Sequence, residues 1–225
     1  MSEIEDIVSQ AKKEKIENLR VSADEKDVSP EERKKRAKKL AGAISHALRT
    51  NGEINVRAFG REAIYKAAKS LAIARDYVKA TNPNLELAYS PAFIEAPIDN
   101  GVMTGICFCT FASDKSEDSK VVDLANVKSI LMVKADPKEV SPEERKENVK
   151  KLAGAITHAV SENKECAIRA FGKAAVSKAA KALAIARGFT ATKGPDLYCW
   201  NDFIMADMQG SEKTGIVFYA FSNAT

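Results

Sequence analysis

The chain contains two copies of one sequence. Residues 28–75 and 140–187 align without a gap at a constant offset of 112 positions, and roughly two-thirds of the aligned residues are identical. A repeat of this length is a whole domain rather than a solenoid unit of about 20–50 residues. The 225 residues leave room for two domains of about 100 residues each. We therefore predict a tandem duplication, in which every surface of the domain occurs twice on one chain.

Each copy begins with the patterns of a strand followed by a helix. Leu19 and Val21 alternate with polar residues, and this period of two favours a strand. Ser29, Pro30 and Glu32 then form a capping box with proline in the first helical turn, and the same residues recur in the second copy. Apolar residues follow at helical spacing, which predicts a first helix with one buried face.

A second strand and a second helix meet at a glycine. Apolar residues alternate over 54–58, and Gly60 then marks a tight turn into an alanine-rich helix. Two further strands are predicted, one at Leu85–Tyr89 and a longer one over 106–111. The order βαβαββ places each copy in the α+β class, with two helices on one face of a mixed four-stranded sheet.

Both copies carry more apolar strand residues than one small layer needs, because six phenylalanines fall on or beside the last two strands: Phe93, Phe108, Phe111, Phe203, Phe218 and Phe221. We therefore predict that the two domains pack on each other as an intrachain pseudo-dimer. The predicted organisation is an amphipathic helix at 1–15, domain one at 16–112, a linker that can form a helix at 113–127, and domain two at 128–225.

The second copy is two residues shorter than the first. Gly105 aligns with Gly215, an offset of 110, so we place the deletion in the loop before the last strand. With the deletion there, the counterparts of Tyr198 and Trp200 are Glu86 and Ala88, which are not aromatic.

Composition excludes several classes of protein. The N-terminus is too charged for a signal peptide, and no run approaches the roughly 18 apolar residues of a membrane span, so we expect a cytoplasmic or nuclear protein. The four cysteines lack metal-site spacing and are expected to be small core residues in a reducing compartment. No catalytic motif is present, and we expect no enzymatic activity, cofactor, metal or small-molecule substrate.

Several segments resemble a known family. Residues 40–44, 59–60, 66–69 and 71–75 of the first copy, and residues 184–189, 196–199 and 212–216 of the second, resemble the stage V sporulation protein S family in order and spacing. That family is similar in turn to the Alba superfamily of chromatin and RNA-binding proteins, and residues 172–179 resemble the Alba turn and helix start. The resemblance implies two tandem Alba-like domains with a nucleic-acid-binding ancestry and no enzymatic activity.

The sequence departs from the Alba pattern in two regions that are usually basic. The loop before the first helix is acidic or neutral at 23–27 and 135–139, and so is the last hairpin at 95–101 and 206–212. Phosphate contacts supply most non-specific affinity for nucleic acid. Acidic or neutral loops weaken such contacts, so two functions stay open. One is a protein that binds RNA or DNA through phosphate contacts, and the other is a structural or adaptor subunit of a larger protein assembly.

Basic residues cluster where the second strand of each copy turns into the second helix. A helix N-terminus adds positive potential there, and a glycine turn lets a phosphate approach backbone N–H groups. The alternative is an ordinary solvated helix face. The candidate nucleic-acid contacts are Arg57, Arg61, Lys66, Lys69, Arg169, Lys173, Lys178 and Lys181. The net charge of +4 permits polyanion binding without requiring it.

Other conspicuous residues have structural explanations. Arg75 and Arg187 are expected to end the second helices and favour their dipoles. His46 and His158 recur at one helical position and are expected to pack between helices rather than bind a metal. Tyr198, Trp200 and Phe203 could stack on a base or pack between the repeats.

The N-terminal segment predicts a docking helix. Ile4, Ile7 and Val8 form an apolar stripe at helical spacing, on a helix too short to be stable alone. We expect this stripe to dock on the protein's own repeats or on a partner protein.

Overall fold

The computed structural model describes residues 16–25, 27–99, 101–114, 127–192, 194, 196–207 and 210–222. The predicted N-terminal helix, with Ile4, Ile7 and Val8, lies outside the described residues, and so does residue range 115–126 of the predicted linker. Within the described part of the chain, no helix has an apolar stretch long enough to cross a bilayer.

Both repeats fold in the predicted order. Repeat one comprises β1 (Asn18–Val21), α1 (Pro30–Asn51), β2 (Glu53–Phe59), α2 (Gly60–Thr81), β3 (Leu85–Ile98) and β4 (Gly101–Asp114). Repeat two comprises β5 (Ile130–Val133), α3 (Pro142–Asn163), β6 (Glu165–Ala170), α4 (Lys173–Ala191), β7 (Leu197–Asp207) and β8 (Glu212–Ser222). The prediction of two α+β domains with βαβαββ order is confirmed.

The first helix of each repeat begins at the predicted cap. Ser29 Oγ accepts a hydrogen bond from the N–H of Glu32 at 3.2 Å, and Ser141 Oγ accepts one from the N–H of Glu144 at 3.1 Å. Each bond satisfies one of the N–H groups that a helix start leaves unpaired. Local sequence therefore fixes where α1 and α3 begin.

The two repeats share one eight-stranded sheet. The strand order is β1-β2-β4-β3-β7-β8-β6-β5. From either edge inward, the strands of a repeat follow the same order: first, second, fourth and third. In each repeat the first two strands are parallel and the other pairs are antiparallel. Buried apolar residues of both repeats form one continuous core cluster. The predicted pseudo-dimer is confirmed, and its centre is the junction of β3 with β7.

Equivalent residues meet at this junction. Tyr89 of β3 pairs with Cys199 of β7. Tyr89 lies opposite Thr110 in β4, and Cys199 lies opposite Ala220 in β8. Both pairs differ by the same offset, 110 positions, so Tyr89 and Cys199 occupy one position of the repeat. A pseudo-two-fold axis therefore passes close to this pair.

This register corrects the predicted position of the deletion. The offset is already 110 in the third strand of the repeat, so the two residues are missing between α4 and β7 and not before the last strand. The counterparts of Tyr198 and Trp200 are consequently Ala88 and Ser90, not Glu86 and Ala88. The sequence does not locate the deletion because no residue of this loop fixes the alignment. The strand register does locate it.

The last hairpin of repeat one is longer than predicted. Pairing of β3 with β4 continues to Ile98 and Gly101, so the expected loop at 95–101 is mostly strand. From Gly101 to Thr104, β4 pairs with β3 alone among the described strands, so this end of the hairpin extends past β2 as a two-stranded arm. The prediction failed here because Pro97 and the polar residues of this segment resemble a turn.

A buried polar chain crosses the junction. The Tyr89 hydroxyl donates to Asn201 Oδ1 at 2.6 Å, and Asn201 Nδ2 donates to the carbonyl oxygen of Ala68 in α2 at 3.1 Å. Both side chains are fully buried, and burial raises the pKa of the Tyr89 phenol well above its ordinary value. The bonds satisfy polar groups that would otherwise be costly to bury.

We expect Tyr89→Phe to lower the free energy of unfolding by about 1–3 kcal/mol, because it leaves Asn201 Oδ1 buried without a donor. Urea denaturation of the full chain measures this difference. The matched control is Tyr77→Phe, which removes a hydroxyl from an exposed ring and should change stability by less than about 0.5 kcal/mol. Equal stability of the two variants would contradict a structural role for the buried hydroxyl.

Candidate nucleic-acid interface

Each second helix starts at a glycine turn without a side-chain cap. Gly60 and Gly172 both have φ of 81°, a conformation that favours glycine. The residues at the two N-cap positions, Phe59 and Gly172, make no side-chain hydrogen bond to the helix N–H groups. These N–H groups and the helix dipole give both turns a positive potential.

The two turns lie side by side. Lys173 at the start of α4 forms an ion pair with Glu62 in the first turn of α2, with Nζ and Oε2 at 2.7 Å. Both side chains are about half exposed, so the pair contributes little to stability. Its importance is positional, because it joins the helix starts of both repeats into one surface.

Lys66 and Lys178 already have carboxylate partners. Lys66 Nζ is 2.6 Å from Asp24 Oδ1, and Lys178 Nζ is 2.5 Å from Asp136 Oδ1. All four side chains are largely buried. Asp24 and Asp136 belong to the acidic loops that depart from the Alba pattern, and they attach those loops to the second helices. The recurrence of an aspartate at this position in both loops was the available sequence signal.

Lys69 and Arg61 lie on α2 two turns apart. Lys69 Nζ lies 5.4 Å from the centre of the Tyr65 ring, and its pKa is lowered by burial and by the neighbouring charge of Lys34. Arg61 is exposed, as is Lys181, the copy of Lys69 in α4. Lys34 is exposed as well, so α1 and α2 together present a concentrated positive surface.

Arg57 and Arg169 lie elsewhere. They belong to β2 and β6, where the alternate residues Val56 and Ile168 point into the core beneath the helices. Arg57 and Arg169 therefore lie on the opposite face of the sheet, and both are half-buried. Arg169 Nε is buried without a hydrogen-bond acceptor within the described ranges.

The eight predicted contacts thus divide into three groups. Arg61, Lys69, Lys173 and Lys181 lie on the second helices. Lys66 and Lys178 lie on the same helices but are neutralised by aspartates. Arg57 and Arg169 lie on the far face of the sheet.

Arg75 has a role that the sequence did not reveal. α2 continues to Thr81, so Arg75 does not end the helix as predicted. Its Nε is 2.5 Å from Glu86 Oε1, its Nη1 is 3.1 Å from Asp202 Oδ2, and its guanidinium lies 3.6 Å from the centre of the Trp200 ring. Arg75 is buried, and it joins repeat one to repeat two through charge and ring stacking.

Arg187 repeats only part of this arrangement. It binds Asp196 through two hydrogen bonds of 2.8 and 3.0 Å, as Arg75 binds Glu86. Ala92 stands in repeat one where Asp202 stands in repeat two, so that position offers Arg187 no carboxylate. Burial opposes ionisation of Asp196, but the hydrogen bonds from Arg187 and the Leu197 N–H, with the Arg187 charge, hold its pKa below the ordinary value.

The aromatic residues of β7 pack between the repeats. Trp200 stacks on Tyr219 with ring centres 4.1 Å apart and faces Arg75. Tyr198 contacts Phe111 of repeat one edge to face at 5.6 Å. Phe203 packs on the core cluster. Of the two interpretations, inter-repeat packing fits Trp200, which is buried, and Tyr198, which contacts Phe111 of repeat one.

The two histidines are exposed rather than packed, which corrects the prediction for His46 and His158. The residues directly before and after each histidine on α1 and α3 are buried, and the histidine between them points to solvent. Among the described residues, no three His, Cys, Asp or Glu side chains come together as a metal site would require.

The arm of repeat one exposes apolar side chains. Ile98, Val102 and Met103 are 48%, 60% and 40% exposed. Water penalises such residues, and groups of them commonly mark contacts with other proteins. The arm leaves the sheet at Gly105, which pairs with Phe59 at the end of β2, so it begins beside the start of α2.

Comparison with protein families agrees with the duplication. A family described as Stage V sporulation protein S (SpoVS) matches residues 32–113 and again residues 144–223. The two matches span both repeats from the first helix to the last strand.

We expect Asp196→Asn to lower the free energy of unfolding at pH 7 by about 1 kcal/mol, since it removes the charged partner of Arg187. The pKa of Asp196 is depressed in the folded protein, so its contribution is present at neutral pH and is lost on acidification. The difference from wild type should therefore shrink below about pH 4. Urea denaturation at pH 7 and pH 3 measures it, with Asp99→Asn in the exposed hairpin turn as control. A difference independent of pH would contradict the ion pair as its cause.

Proposed function

The chain belongs to the stage V sporulation protein S family, and from that premise we propose that it is a non-enzymatic protein that binds RNA or DNA through phosphate contacts. The observation that carries the proposal is the juxtaposition of two uncapped, glycine-initiated helix starts across the pseudo-two-fold axis. Two such turns side by side offer backbone N–H groups and dipole charge to neighbouring phosphates of one strand.

We propose Arg61, Lys69 and Lys181 as the principal side-chain contacts, with Lys34 beside Lys69. Arg61 and Lys181 are exposed, and Lys69 is half-buried with its charge close to that of Lys34. Phosphate binding would relieve the repulsion between these two lysines.

Three of the five remaining predicted residues receive different roles. Lys66 and Lys178 are omitted because Asp24 and Asp136 already neutralise them. Lys173 is a secondary contact, since a phosphate competes with Glu62 for it. A protein of this kind would act in the cytoplasm or nucleus, where nucleic acid is accessible.

We expect Arg61→Gln to weaken binding to single-stranded RNA and duplex DNA of any sequence, because a phosphate contact is lost. The salt dependence is the specific signature. The slope of log Kobs against log salt should fall by about one unit for Arg61→Gln, and by about two when Lys181→Gln is added. Fluorescence anisotropy between about 50 and 200 mM salt measures both quantities.

The matched control is Arg49→Gln. Arg49 is an exposed arginine of the same repeat in the last turn of α1, at the opposite end of β2 from Arg61. The seven residues of β2 separate the two sites by about 23 Å. Equal losses in the two variants would indicate general charge attraction. Absence of binding by the wild-type chain at low salt would eliminate the proposal.

A second candidate function rests on the apolar arm. Ile98, Val102 and Met103 favour a structural or adaptor subunit that contacts another protein through this hairpin. The stripe of Ile4, Ile7 and Val8 is proposed to dock on the same class of partner.

We expect, under this second function, that Val102→Ser with Met103→Ser abolishes incorporation into the native assembly without lowering the melting temperature. Deletion of residues 1–13 should have the same two effects. Recovery of the native complex from its source, followed by mass spectrometry, measures incorporation. If both variants incorporate normally, neither surface carries an adaptor function.

A further inference from the structure

Two cysteines lie together on the face of the sheet opposite to the helices of their own repeat. In β4, Ile106 and Phe108 point into the core, so Cys107 and Cys109 between and after them point to the opposite face. Their sulfur atoms are 3.7 Å apart, within hydrogen-bonding distance for sulfur. Cys107 is buried, whereas Cys109 is partly accessible.

The surroundings distinguish these two thiols. The hydrogen bond with Cys107 is the largest influence on Cys109 and lowers its pKa to about 7, helped by the charge of Arg187 and opposed by burial, Asp196 and Glu53. The same hydrogen bond and burial raise the pKa of Cys107, so Cys107 keeps its proton. Cys107 S–H is therefore the donor whenever Cys109 is a thiolate.

The other two cysteines are inert by comparison. Burial raises the pKa of Cys166 to about 12 and raises that of Cys199 well above its ordinary value. Both side chains are inaccessible. A thiolate is the reactive form of cysteine, so these two provide an internal reference for reactivity.

We propose that Cys109 is a modification site for peroxides and soft carbon electrophiles, and that Cys107 is a positioning residue that holds the Cys109 thiolate by its S–H···S hydrogen bond. The supporting geometry is the sulfur contact, the partial accessibility of Cys109 alone and the nearby guanidinium of Arg187. The sequence predicts four small core cysteines, and Cys109 departs from that prediction because it is only partly buried.

The chemistry balances with hydrogen peroxide as oxidant. The Cys109 thiolate attacks one peroxide oxygen, a sulfur–oxygen bond forms, and the oxygen–oxygen bond breaks. Cysteine is oxidised to sulfenic acid, and the peroxide is reduced to hydroxide, which takes a proton from solvent to give water. With iodoacetamide a sulfur–carbon bond forms and iodide leaves.

The product should remain a sulfenic acid rather than an internal disulfide. Residues two apart on a strand have Cβ atoms separated by about 6.7 Å, whereas a disulfide requires about 3.5–4.5 Å. Cys109 pairs with Ser90 of β3, and Arg187 of repeat two acts on it, so the adduct lies beside the junction of the repeats.

The test is timed alkylation of the native full-length chain with iodoacetamide, with each cysteine quantified by peptide mass spectrometry. We expect Cys109 to react at least tenfold faster at pH 7 than Cys107, Cys166 and Cys199, with a rate midpoint near pH 7. Hydrogen peroxide followed by a sulfenic-acid trap should label Cys109 first. If Cys109 reacts no faster than the other three, the proposal is wrong.

Two variants distinguish the effect of the Cys107 hydrogen bond on the reactivity of Cys109 from the effect of the exposure of Cys109. Cys107→Ala removes the donor, and should move the Cys109 rate midpoint upward and slow labelling at pH 7 severalfold. Cys107→Ser keeps an O–H donor and should retain the wild-type midpoint. Slow labelling of Cys166 and Cys199 in each variant shows that the fold is intact. An unchanged midpoint in Cys107→Ala would overturn the positioning role, and the wild-type ranking still tests the site if that variant does not fold.

Discussion

The structure depends on the junction where β3 and β7 meet. Among the residues that the structure describes, Tyr89 and Cys199 alone form a bridge there, yet that contact joins two four-stranded sheets into one and fixes the position of each helix pair relative to the other. The Tyr89–Asn201 hydrogen bond and its continuation to Ala68 connect sheet to sheet and sheet to helix in a buried setting. Because the junction sets the angle between the repeats, it also decides that the starts of α2 and α4 lie together.

Symmetry at the junction is limited to the backbone. Tyr89 and Cys199 are equivalent positions with different side chains, and Asn201 has Pro91 as its counterpart. Asp202, which binds Arg75, has Ala92 in the same place. Buried polar groups that are satisfied in only one arrangement favour that arrangement over its alternatives. The polar contacts are therefore specific to the pairing of repeat one with repeat two.

Local patterns predicted the fold well because they have local causes. Alternation, the Ser29 cap and the Gly60 turn each determine a few neighbouring residues, and all three agree with the structure. The candidate site was predicted less completely, since its charges are decided by distant partners. Asp24 neutralises Lys66 from 42 positions away, and Arg75 binds Asp202 from 127 positions away. A sequence pattern does not predict such contacts, because they depend on the register of strands that are distant in the sequence.

The covalent connection of the repeats changes how the pairing responds to dilution. Two separate copies of one domain would form a dimer whose population depends on their concentration, and the dimer would dissociate at low concentration. In a single chain the second half is always present, at an effective concentration set by the connecting segment rather than by expression level. A mutation at the junction also alters one side only, whereas in a symmetric dimer it would appear on both. In a single chain the interface therefore requires neither a high protein concentration nor identical surfaces on its two sides. Each half can carry residues that are complementary only to the other half.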